Sequence, residues 1–221
     1  MIRKFFCVIV GLTIFVLHSV YADETNSADA SETNNVISLW VPGNANPWLA
    51  GMPDGSMADN GFDIAPDQSP IEVKNIPIKP DEILTFSVTG GAAHGPFQLV
   101  GADGETNVVS RIPGAENGIA DITAPLGALI GVFLDEAAPS NFPPPAVLDF
   151  SAASNRDFAS LYPNLRQPFF IGDGKDSFGG VQQFVVPARA TRLFLGTMDA
   201  YQWSDNQGSF TVKVIIVPKS P

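Results

Sequence analysis

The chain has 221 residues and a formal net charge of −11, with 23 acidic side chains against 12 basic ones. A balance of that sign sets aside nucleic acid and anionic membrane surfaces as partners. One cysteine and two histidines are too few for a disulfide framework or a His/Cys zinc centre.

The first elements form a leader. Met1–Lys4 is a charged start, Phe5–Leu17 is apolar, and Val20-Tyr21-Ala22 ends on a small residue suited to cleavage. This is the pattern of a secretory signal peptide over residues 1–22, which implies a secreted, periplasmic or cell-surface protein. The apolar run is shorter than the ~20 residues of a membrane-spanning helix, so an integral membrane protein is not expected. Residues 23–35 read as a flexible acidic N-terminus. Cleavage would remove Cys7, His18, Arg3 and Lys4, leaving a more acidic chain with His94 and no cysteine.

From Val36 onward, short β-type runs alternate with Gly, Pro, Asp and Asn. Strands are predicted at Val36–Val41, Ile71–Ile76, Ile83–Val88, Phe97–Val100, Ala128–Leu134, Pro168–Ile171, Val181–Val186, Thr191–Thr197 and Ser209–Val217. The last alternates cleanly, with Phe210, Val212, Val214 and Ile216 on one face. Many short strands with frequent turns predict an all-β sandwich or barrel, here as one domain over 36–217. A Pro-rich insertion over 135–167 interrupts the strands, and Asp149–Leu161 within it is expected to hold a short helix capped by Ser154 or Asn155. In the turn-rich front segment Val41–Gly55, Trp48 and Met52 are expected to pack rather than to bind.

The chemistry concentrates between the last two strands. Before its Gly208-Ser209 exit, the stretch Asp199–Phe210 carries two carboxylates, three side-chain amides and two aromatics. Oxygen ligands at a loop tip suit a hard cation such as calcium, and aromatics suit a sugar ring; an ordinary polar hairpin tip is the alternative. A second loop, Gly90–Pro96, has small residues that let its backbone approach a ligand closely. A carbonyl from it, with Asp199, Asp205 and Asn206, would make most of a calcium shell. Gly172–Asp176 reads as ordinary Asp-Gly turn chemistry. No nucleophile–base–orienter set and no Gly-x-Ser-x-Gly motif occurs, so a binding module rather than an enzyme is expected. A glycosidase would need only two carboxylates, and composition leaves that open.

The acidic loop followed by Asp205-Asn206-Gln207-Gly208-Ser209-Phe210, the loop Ala93-His94-Gly95-Pro96 with Gly101-Ala102-Asp103-Gly104, and the strand start Gly127-Ala128-Leu129-Ile130 resemble the soluble calcium-dependent galactophilic lectins of bacteria. The likeness extends over roughly Ile71–Val217. The opening Val41–Met52 also resembles a group of uncharacterised secreted bacterial proteins. The resemblance implies a jelly-roll-like, galactose-binding-domain-like β-sandwich. It implies calcium held by Asp199, Asp205, Asn206 and the backbone carbonyls of Gln202 and His94. Where that family holds its sugar with a His and a Gln, the stretch Glu105–Thr123 has neither, and Arg111, Glu116 and Asn117 are the substitutes available. The carbohydrate-binding candidates are therefore His94, Asp199, Asp205, Trp203, Glu116 and Asn117, and homo-oligomers are implied.

Together these features predict a secreted calcium-dependent carbohydrate-binding protein. The alternatives are an extracellular structural or adhesive module without sugar binding and, third, a polysaccharide-active enzyme.

Overall fold

The structure is a computed structural model that describes residues 35–218. The leader over 1–22, and the stretch 23–35 apart from Asn35, lie outside the described residues. Twelve strands follow in order: β1 (Val36–Pro42), β2 (Ile71–Glu72), β3 (Ile83–Ala93), β4 (Val108–Ser110), β5 (Ile122–Pro125), β6 (Leu129–Leu134), β7 (Leu148–Asp149), β8 (Ser160–Leu161), β9 (Phe169–Phe170), β10 (Gln183–Val185), β11 (Arg192–Thr197) and β12 (Gln207–Val217). They form a five-stranded sheet in the order β1-β12-β3-β10-β8, a four-stranded sheet β2-β11-β6-β9 and a three-stranded sheet β4-β5-β7. This is the all-β sandwich that the sequence predicts. No helix of the described residues is long and apolar enough to cross a membrane.

Burial follows the pleat. In β12 the side chains of Phe210, Val212, Val214 and Ile216 are buried while Thr211 and Lys213 are exposed, as a strand with one wet face requires. An aromatic ladder joins the two larger sheets. Phe86 of β3 meets Phe184 of β10 edge-on at 5.0 Å, Phe184 lies 5.6 Å from Phe169 of β9, and Phe169 stacks on Phe133 of β6 at 5.1 Å. Offset and edge-on contacts of this kind add to what their buried area already contributes. β6 is buried along its whole length. Trp48, in a 3-10 turn over Pro47–Leu49, is wholly buried and donates its indole N–H to Ala120 O at 2.9 Å, so the front segment seals the core as expected.

The insertion departs from its prediction. The only helical turn within Asp149–Leu161 is a 3-10 turn over Ala153–Asn155, entered through Ala152 with no side-chain cap. Ser154 and Asn155 lie inside that turn. The reason is local competition for the backbone: Asp149 accepts the Ser151 N–H at 2.8 Å, and Asn155 Nδ2 donates back to Asp149 O at 2.9 Å. Downstream, β8 pairs in parallel with β10 and covers that edge of the five-stranded sheet. Phe97–Val100 is likewise no strand; only Val100 bridges to Ala92, and Phe97 and Leu99 are exposed.

Candidate functional site

The register of β3 against β12 positions the site. Gln207 lies opposite Ala93, so His94, just past the end of β3, meets Asn206, just before β12. The Gly95 N–H donates to Asn206 Oδ1 at 3.2 Å, and Asn206 Nδ2 donates to Gly43 O at 3.2 Å. One side chain thus joins three segments that are far apart in sequence.

Asp199 follows β11 by two residues and is 7% exposed. Its Oδ1 accepts the Tyr201 N–H at 3.0 Å. Burial pushes its carboxyl above the ordinary value; the Tyr201 N–H, the Asn206 side chain and the charge of His94 act the other way. Asp205 is exposed, with Oδ2 only 3.6 Å from where a Cβ on Gly95 would stand. His94 is half-buried, its ring stacked on Phe97 at 4.7 Å and its Nδ1 3.0 Å from Glu105 Oε1, at ion-pair distance but outside hydrogen-bond alignment.

A buried carboxylate from outside the loop shapes its middle. Asp63 is wholly buried and accepts the N–H of Trp203 at 3.1 Å, the N–H of Ser204 at 2.8 Å, Asn46 Nδ2 at 3.1 Å and Asn60 Nδ2 at 2.6 Å. Asn60 Nδ2 also donates to Tyr201 O at 2.6 Å. In a trans peptide the C=O points opposite to the following N–H. With the Trp203 N–H aimed at Asp63, the Gln202 carbonyl therefore faces away from Asp63. The Gln202 side chain is turned aside, donating to Ser204 Oγ at 3.0 Å.

The structure therefore brings Asp199, Asp205, Asn206 and His94 together. Three other candidates are not available to a sugar. Trp203 is wholly buried, 5.4 Å from Trp48, with its indole N–H on Thr197 O at 2.8 Å; its ring is core and offers no face. Glu116 is buried in an ion pair with Arg111 and accepts the Asp59 N–H at 2.7 Å. Burial raises its carboxyl above the ordinary value, with Arg111 opposing. Asn117 Nδ2 is taken by Trp48 O at 2.9 Å. These residues hold the front segment in place. The aromatics that do reach solvent around these residues are Tyr201 and Phe62, 43% and 54% exposed and paired edge-on at 6.0 Å, and Phe97 on the His94 ring.

Sequence reading passed over Asp63, Asn60 and Asn46. The signal was the turn Asp59-Asn60-Gly61-Phe62-Asp63, which reads as plain turn chemistry unless its distant partners are known. Among the described residues no group of three or more His, Cys, Asp or Glu side chains is placed to hold a metal. The oxygens that could serve a hard cation are two carboxylates, Asp199 and Asp205, the amide of Asn206, and the carbonyls of Gln202 and His94.

No family model matches the chain, and no curated protein matches it. Among solved structures, the chain is similar to the N-terminal domain of EclA, described as a PllA-like lectin. The identity is 17% and the TM-score 0.39, over 83% of this chain and 98% of that one.

Proposed function

We propose that this is a secreted, calcium-dependent carbohydrate-binding protein that binds rather than turns over its ligand. The observation that carries the reading is the convergence of Asp205 and Asn206 on the backbone at Gly95, with the Asp199 carboxyl against the Asn206 side chain. Two carboxylates balance the charge of a divalent cation, and amide and carbonyl oxygens suit calcium's preference for six to eight hard ligands. A buried carboxylate whose charge is disfavoured by burial is stabilised when a cation arrives. Vicinal hydroxyls of a sugar would fill the positions that the protein leaves open, with Tyr201, Phe62 and Phe97 as the exposed aromatics at hand. Secretion is supported by the leader pattern over 1–22.

The test is a calcium titration of EDTA-treated protein, followed by melting temperature and tryptophan fluorescence, and then a glycan array with and without calcium. Expected are a calcium-dependent rise in melting temperature, a fluorescence change through Trp203, and calcium-dependent glycan signals that Asp199→Ala/Asp205→Ala abolishes. Absence of any calcium effect overturns the reading. A calcium effect without any glycan signal selects the second reading, an extracellular structural or adhesive module. That alternative draws on one observation: the Asn206 amide is already engaged at both ends.

A further inference from the structure

The edges of the three sheets are β1 and β8, β2 and β9, β4 and β7. β1 has seven residues, and each of the others has two or three. Short edges offer a foreign strand little to pair with, and long ones are ordinarily defended by charge, by proline or by a bulge. β1 lacks these defences. Its sequence, Val36-Ile37-Ser38-Leu39-Trp40-Val41-Pro42, carries no charged side chain, its proline is the last residue, and its register against β12 runs without a break. Val36, Ser38 and Trp40 are exposed, Trp40 to 61%.

The ladder fixes which backbone groups face the open side. The Ile216 N–H donates to Asn35 O at 2.7 Å and the Gly43 N–H to Gly208 O at 2.9 Å, one at each end of the strand. Antiparallel pairs alternate, so Ile37, Leu39 and Val41 turn their N–H and C=O toward β12, while Val36, Ser38 and Trp40 turn theirs away. Among the described residues nothing bonds the outward groups of these three. Pro42, next in line, has no N–H to give, and its carbonyl accepts the Ala45 N–H at 3.1 Å. The edge thus presents three donors and three acceptors, and stops.

That set is complementary to itself. Let a second copy lie antiparallel with Ser38 opposite Ser38. Val36 then falls opposite Trp40 at both ends, and the donors of each copy meet the acceptors of the other, six hydrogen bonds with none left over. With the axis at Leu39 instead, Val36 would face Pro42, which has no N–H and an engaged carbonyl. In the Ser38 register the exposed Trp40 ring covers Val36 of the other copy. On the opposite face Ile37 meets Leu39, both only partly buried against the core. Lys213 pairs with Ser38 inside each sheet, and the two serines keep the two lysines about 14 Å apart, beyond a Debye length at physiological salt. Seven residues a side fall short of the roughly 20–30 of a standard interface, so the association is weak and reversible.

We propose that two copies of the chain join through β1, antiparallel about a twofold axis at Ser38, so that the two five-stranded sheets become one. The loops before β12 then face opposite ways. The proposal does not draw on the calcium reading.

Sedimentation equilibrium of the full chain, from about 1 to about 500 µM, should show monomer and dimer in exchange. Ser38→Lys sets two like charges opposite each other across the axis, and Trp40→Lys removes the ring that covers Val36. Both positions are exposed, so each variant should keep the wild-type melting temperature at low concentration and raise the dissociation constant about tenfold or more. Register is read by oxidation in a Cys7→Ser background. Ser38→Cys should form a covalent dimer, since such a pair stands about 5.5 Å apart at Cα, within reach of a disulfide. Trp40→Cys should not, its two copies being about 13 Å apart along the strands. A monomer at every concentration overturns the proposal. So does a dimer indifferent to both lysine variants, or cross-linking no faster in Ser38→Cys than in Trp40→Cys.

Discussion

The carboxylate of Asp63 lies against the backbone N–H of Trp203, 3.1 Å away and 140 residues apart in sequence. The same carboxylate takes the N–H of Ser204 and two side-chain amides. Four donors on one buried anion fix the course of the candidate ion loop more firmly than its own turn residues could. Asp63→Ala leaves those donors without their acceptor inside the protein, where unmet groups are expensive. The expected loss is about 3 kcal/mol or more of unfolding free energy, measured in urea. Asp63→Asn should lose stability as well, because an amide cannot accept from all four. An unchanged urea midpoint in both variants would contradict the role given to Asp63.

Asp199 carries a pH signature. Its folded carboxyl holds a proton more readily than the unfolded one, whose ordinary value is 3.8. The folded state therefore binds more protons in the window that opens at 3.8, and its stability falls as pH rises through the raised value. Asp103 and Glu116 slope the same way, so the diagnostic is a difference. In EDTA, Asp199→Asn should show a flatter melting-temperature profile than wild type above pH 4 and a higher melting temperature at neutral pH. A profile parallel to wild type would show that burial of this carboxylate carries no such penalty.

Arg111 and Glu116 form a buried ion pair, their side chains 0% and 3% exposed. The guanidinium also lies 5.2 Å over the Trp48 ring and donates to Gly114 O at 2.7 Å. Removing one partner strands the other charge, so Arg111→Ala should cost about 3–5 kcal/mol. The pair Arg111→Met with Glu116→Leu should cost clearly less than the two single substitutions added together. A double-mutant cycle by urea unfolding measures the difference, and strict additivity would contradict the coupling.

Gly208 sits at φ +78°, with an added Cβ 2.3 Å from Gly91 O and 2.6 Å from Leu99 Cδ2. Gly208→Ala therefore meets both a left-handed backbone and a β3 carbonyl that must shift. About 1–3 kcal/mol of strain is expected, with faster amide exchange at Gly95, whose bond to Asn206 depends on this end of the ladder. Unchanged exchange there would mean that the loops hold their register without it.

How much of this could be read from the sequence depends on the range of the contact. β12 was legible because its residues alternate between core and solvent from Ser209 to Val217, and β6 because it is an unbroken apolar run. β5 was missed: Ile122–Pro125 is short, ends in proline and is buried without alternating. The helix expected in Asp149–Leu161 failed because Asp149 and Asn155 bond the local backbone instead. At the site, Asp199, Asp205 and Asn206 stood out as oxygen donors in one loop. Trp203, Glu116 and Asn117 looked equally suitable, because residue type does not tell a solvent-facing ring or amide from a buried one. Asp63 was invisible for the opposite reason: its part in the loop lies in the N–H groups of Trp203 and Ser204, over a hundred residues away.

The pairing of β1 with β12 has one more consequence. Val36 lies opposite Ile215 at one end of this ladder and Pro42 opposite Ser209 at the other. The described chain thus enters and leaves on one pole of the sheet, while Gly43, His94 and the loop before β12 occupy the other. The eleven residues of β12, at a rise of about 3.3 Å each, separate the two poles. Whether tethered through its first strand or its last, the molecule would carry the loop before β12 at the end away from the point of attachment, the orientation of a probe on a stalk.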